Sequence, residues 1–150
     1  MKTWPALKAQ VLQTDRDNKI VFIRLVVGFI FMSEGMQKFL FLNVLGPAFF
    51  EEVGFAHGCF WAYFTGTFEL ACGLLVLLGW FTRLAAIPLL TIMMVAFKAT
   101  KMPLLATKGF WEFAHEYNID LSMTVLLILL LVYGGGTWSM DSKLAPAPAP

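Results

Sequence analysis

The sequence predicts an all-α membrane protein, a four-transmembrane-helix bundle preceded by a short N-terminal interfacial helix. Three observations carry this reading. Of the 150 residues, 59% are hydrophobic and only 14% charged, against about 25% charged in an ordinary soluble domain. Mean hydropathy is +0.72, so the chain lacks the polar surface to cover itself in water. The apolar residues fall in four blocks, each close to the roughly 20 residues that cross a hydrocarbon core.

Residues 1–18 place Trp4, Leu7 and Val11 at helical spacing among Lys2, Lys8, Asp15, Arg16 and Asp17, a pattern that suits a helix lying at the membrane surface. Pro5 would open it. The four-helix domain is read over 19–142. Its first span covers 20–42 and is broken by Gly46-Pro47. This apolar run does not read as a secretory leader, because it is long, contains Glu34 and is followed by no Ala-x-Ala site. Residues 49–57, with Glu51 and Glu52, read as a loop or re-entrant turn. The second span, 59–80, ends at Gly79-Trp80, and the polar pair Thr82-Arg83 makes the hairpin tight. The third starts near Leu84, is kinked at Pro88 and runs to Lys98, which can snorkel to the interface.

The fourth helix is expected to begin outside the hydrocarbon. Glu112, Glu116 and Asp120 recur every four residues on one face, which should turn away from lipid, and 121–133 is almost wholly Leu, Ile and Val. The glycines at 134–136 end it, and Trp138 suits the interfacial aromatic belt. The tail over 143–150 ends in alternating Ala and Pro, an extended solvated strand of polyproline type.

Several function classes drop out. A net charge of +1, with no clustered basic run outside the N-terminal segment, provides no electrostatic footprint for nucleic acid. Cys59 and Cys72 are 13 residues apart on one helix, about 20 Å at 1.5 Å per residue, so they cannot form a disulfide. Without a Cys-x-x-Cys pair they read as buried and inert.

Lysine and arginine counts set the orientation. With both termini cytoplasmic, the inside holds Lys2, Lys8, Arg16, Lys19, Arg24, Arg83 and Lys143, and the outside Lys38, Lys98, Lys101 and Lys108. Seven against four favours that arrangement in a bacterial-type inner membrane.

A set of residues then carries a resemblance. Arg24, Gly28, Phe31, Gly35 and Lys38 stand in the first span; Glu69, Gly73, Leu74, Gly79, Thr82, Arg83 and Ala86 follow in the second and the turn beyond it; the three glycines and Ser139-Met140-Asp141 close the chain. In order and spacing these resemble the DoxX family of small four-helix membrane proteins. The resemblance implies association with quinol oxidases and thiosulfate:quinone oxidoreductases, hence an accessory subunit of a quinone-linked redox complex. It implies quinone as the ligand; the chain itself holds no cofactor motif, so no covalently bound cofactor is expected and catalysis is left undecided.

Charges inside the spans mark the candidate site. A charge at the bilayer centre costs roughly 2.5 to 3.5 kcal/mol on insertion scales, so each needs a partner or a task. Glu69 lies halfway along its span, flanked by Gly66 and Gly73, where small residues let another helix approach. Arg24, Phe31, Gly35 and Lys38 share one face of the first span, with Glu34 at its edge. Antiparallel packing puts Glu34 about 12 Å and Glu69 about 15 Å from the same end of the bundle, nearly level. Lys38 follows Glu34 by one turn and can neutralise one carboxylate, and the other should tend to keep a proton, because burial and a neighbouring like charge both disfavour its ionised form. Glu69, Glu34, Lys38 and Arg24 are therefore the candidate ligand or proton site, reached through the gap left by Gly66 and Gly73, with Gly28 and Gly35 as further packing glycines. A network that only fixes helix register is the other reading of the same residues.

His57 and His115 fall at the bundle edge, so no haem is expected. Glu112-x-x-His115 supplies one half of a di-iron motif, and a metal site of Glu112, His115 and His57 is the weaker alternative to no metal at all. Beside the quinone-linked subunit stand two rival functions: a small proton-coupled transporter or channel-like protein, and an anchor that recruits soluble partners. The lipid bilayer is the expected partner, with redox-complex subunits or further copies of the chain beside it.

Overall fold

The computed structural model describes residue 14 and residues 17–144. Trp4, Leu7 and Val11, on which the interfacial helix rests, and the Ala-Pro repeat at 145–150 lie outside them. The described residues form helices joined by short turns, without strands. Helix α1 spans Lys19–Leu40, followed by the short α2, Leu42–Leu45, and α3, Pro47–Glu52. Then come α4, Gly58–Leu78, and α5, Thr82–Ala96. A π-helical turn at Phe97–Lys101 leads into α6, Met102–Lys108, then α7, Phe110–Tyr133, and the short α8, Met140–Leu144.

Four of these segments are long and apolar enough to cross a membrane: α1, α4, the continuous run Thr82–Lys108 and α7. The 22 residues of α1 extend about 33 Å, which matches a hydrocarbon core of about 30 Å. The surface agrees with a bilayer as solvent. Phe22, Phe29, Phe110 and Trp111 stand outward, a coat that water would not tolerate and lipid does. Buried between the helices are Val27, Phe31, Val76, Ala86, Leu89, Leu127 and Leu130.

Two elements differ from the expectation. Residues 49–57 are not simply a loop: Pro47 sits in the first turn of α3, where its missing N–H has no helical partner to lose. The third span does not stop at Lys98 but continues to Lys108 over 27 residues, because a charged side chain leaves the backbone hydrogen-bond ladder intact. What disturbs the ladder is Pro103. It cannot donate to the carbonyl four residues back and crowds it, and the π-helical turn lies directly before it.

The α1–α4 pair is the tightest in the bundle, and glycine makes it so. A Cβ on Gly28 would lie 2.8 Å from the Leu77 backbone N and 2.9 Å from the Gly73 carbonyl O. One on Gly35 would lie 2.8 Å from both the Gly66 carbonyl O and the Leu70 N. The two backbones touch where any other residue would hold them apart.

The end of the bundle at which α1 begins and α8 lies is closed by hydrogen bonds. Arg24 donates to the carbonyls of Gly135 and Trp138, each at 3.0 Å. Phe81 takes a left-handed backbone, φ 49°, unfavourable for a bulky residue. Asp141 compensates: its carboxylate accepts the N–H groups of Phe81 at 2.7 Å and Thr82 at 2.9 Å. It thereby caps α5 from across the bundle. The Asp141 N–H in turn donates to the Gly79 carbonyl at 2.9 Å.

Candidate functional site

Lys38 on α1 and Glu69 on α4 meet across the glycine seam, Nζ donating to Oε2 at 2.6 Å. Local sequence explains the reach. Gly35, one turn before Lys38, is so close to α4 that a Cβ there would stand 3.2 Å from the Glu69 Cβ. Gly66, one turn before Glu69, makes room for the Lys38 stem, whose Cβ a methyl at 66 would approach to 3.3 Å. The side chains are 13% and 6% exposed, so both charges are taken out of solvent and each depends on the other.

The sequence left Lys38 either carboxylate, Glu34 one turn away on its own helix or Glu69 nearly level with it on the next, and the structure pairs it with Glu69. The helix seam draws the ammonium toward α4, and among the described residues no cation stands within ion-pairing distance of Glu34. The proposed entrance changes. There is no gap at Gly66 and Gly73, because α1 fills both positions: the Phe39 ring and the Lys38 stem cover Gly66, while the Met32 backbone covers Gly73.

The open space lies elsewhere, in a cavity of about 440 Å³, within the roughly 300 to 1,000 Å³ range of small-molecule sites. Glu34, Lys38 and Glu69 line it beside a largely aromatic and aliphatic wall that includes Phe31, Phe50, Trp61, Phe64 and Met123. Lys101 and Asp120 line the same cavity, their charged atoms 3.4 Å apart. Sequence reasoning placed Lys101 among the outer loop charges and Asp120 only at the membrane boundary. The available signal was that Asp120 continues the acidic face of α7 into its apolar half.

Arg24 shares the face of Lys38 but not its level. Fourteen residues separate them, about 21 Å along the helix, so Arg24 ties the terminal end and does not reach Glu69. Helical spacing sets direction, and height must be counted separately. His57 and His115 are exposed, Glu112 pairs with Lys108 at 3.1 Å, and no group of three metal-ligating side chains forms among the described residues. Cys72 is buried as expected, whereas Cys59, in the first turn of α4, is exposed.

The DoxX family model matches residues 20–102, which includes α1, α4, α5 and Lys101 and stops short of the closing glycines and Asp141. A membrane protein of Mycobacterium tuberculosis, described as uncharacterized, is 43% identical over 149 residues, covering 95% of this chain and 89% of its own length. No solved structure matches.

Proposed function

We propose, from the premise that this chain belongs to the DoxX family, that it is an accessory membrane subunit of a quinone-linked redox complex and that its cavity receives the quinone ring. One observation carries the reading: a buried Lys38–Glu69 pair lines an apolar, aromatic-walled cavity between membrane-spanning helices. A lipid-soluble ring suits those walls. The ammonium can donate to a carbonyl oxygen and the carboxylate can accept from a hydroxyl, so both oxidised and reduced forms find a partner. Glu34, lining the same space with no cation within ion-pairing distance among the described residues, is suited to exchange a proton with such a ligand. We place the chain in a bacterial-type inner membrane with both termini cytoplasmic, on the seven-to-four lysine and arginine bias.

The second reading, a proton-coupled transporter or channel-like protein, is favoured by one fact: three carboxylates, Glu34, Glu69 and Asp120, line one cavity. One experiment separates the two. Protein gently extracted in native lipid should retain quinone above the level of the surrounding lipid. Glu69→Gln should lose it while remaining folded and inserted, and Glu51→Gln, outside the cavity, should keep it. Lipid-level quinone in the wild-type chain, together with proton flux in proteoliposomes that Glu69→Gln abolishes, would favour the transporter instead.

A further inference from the structure

The cavity carries a second ion pair, contributed by the other half of the bundle. Lys101 closes the π-helical turn after α5, a type of distortion that recurs at functional sites. Its Nζ donates to the Glu116 carbonyl at 3.1 Å and lies 3.4 Å from Asp120 Oδ2. Although the side chain is long, only 18% of it is exposed, so it does not snorkel to water as an isolated interfacial lysine would. Asp120 is partly covered, and both residues line the space that Lys38 and Glu69 line.

The two pairs do not lie at one depth. Glu69 stands about 14 Å along α4 from Leu78, and Asp120 about 20 Å along α7 from Tyr133, counting 1.5 Å per residue. Leu78 and Tyr133 end their helices at the same closed end of the bundle. The second pair is therefore about 6 Å further from that end and on the facing pair of helices. Much of the remaining lining is apolar. Such a space has two polar poles with a greasy middle.

Resting on the reading of the cavity as a quinone site, we infer that Lys101 and Asp120 form its second pole. The ligand class is then a flat ring with hydrogen-bonding oxygens at opposite ends, held by Lys38–Glu69 at one and Lys101–Asp120 at the other. Each pole contains a donor and an acceptor, so each can take either a carbonyl or a hydroxyl. A ring with a single oxygen satisfies one pole and leaves the other without its ligand partner, and a site built for a polar group discriminates against an analogue that lacks it.

The test uses the full chain in lipid nanodiscs with two tail-matched probes, an alkyl 1,4-benzoquinol and the corresponding monophenol without the far hydroxyl. Affinities are expressed per lipid. The wild-type chain is expected to prefer the quinol by about tenfold or more, the scale of one hydrogen bond to a charged group. Lys101→Met and Asp120→Leu should each lower quinol affinity in part, and the double variant should bring it down to that of the monophenol, with monophenol binding unchanged in all three, which also certifies that the variants are folded. Lys108→Met should behave as wild type. A preference for the quinol that survives both substitutions overturns the second pole while leaving the quinone reading intact. Failure of the wild-type chain to bind either probe overturns the quinone reading itself.

Discussion

Lys38 and Glu69 form a cross-helix pair at 2.6 Å that exists because glycines at 35 and 66 let α1 and α4 approach to backbone contact. Neither side chain would find its partner on helices held apart by ordinary residues.

Removing one charge should therefore be worse than removing both. Lys38→Met leaves the Glu69 carboxylate unpaired and is expected to lower stability by about 3 to 5 kcal/mol, as breaking buried pairs does. The double variant Lys38→Met, Glu69→Leu should recover most of that loss. Thermal unfolding in detergent measures both, and a double variant as unstable as the single one would refute the pairing argument.

The glycine seam makes a graded prediction. Gly28→Ala drives a methyl into the backbone of Leu77 and Gly73 and should cost about 1 to 3 kcal/mol, the range for overpacking a tight interface. Gly66→Ala meets only side chains, the Phe39 ring and the Lys38 stem. It should destabilise less and lower quinone retention more. The two orders, by unfolding and by retention, should be opposite.

At the closed end, Asp141→Ala deprives the Phe81 and Thr82 N–H groups of their acceptor and should cost about 1 to 3 kcal/mol. Because Phe81 is left-handed, Phe81→Asn, a residue that tolerates that backbone, should return part of the loss in the Asp141→Ala background. Absence of any rescue in unfolding measurements would show that the backbone strain contributes little.

Topology is checked by the native cysteines. With the termini cytoplasmic, Cys59 is exposed at the outer end of α4 and Cys72 is buried within it. A membrane-impermeant maleimide should label intact cells at Cys59, and Cys59→Ser should abolish the signal. Labelling only after lysis would invert the orientation.

The sequence showed the four spans clearly, because apolar runs of this length have few other uses, and it showed Glu69 because a carboxylate at mid-span stands out against Leu and Gly. It could not decide between Glu34 and Glu69 as the partner of Lys38. That choice depends on how closely two helices pack, which the glycines permit without specifying. Lys101 and Asp120 were hidden for a related reason. At the ragged edge of a hydrophobic block, a charge serving a cavity and a charge serving the interface have the same appearance, and only the extended third helix separates them. Arg24, Gly79, Gly135 and Asp141 were legible as a pattern but not as one cluster, since they come from three distant stretches of chain.

Backbone contact between α1 and α4 also divides the bundle mechanically. Where glycine meets carbonyl there is no side chain to change rotamer and absorb displacement, so these two helices behave as the fixed jaw of a vice carrying Lys38 and Glu69. The opposing jaw, with Lys101 and Asp120, contains Pro88, the π-helical turn and Pro103, three points at which the helical ladder is weakened. On the quinone reading, a ligand of greater girth is therefore expected to displace the Lys101–Asp120 side of the cavity before it displaces the Lys38–Glu69 pole.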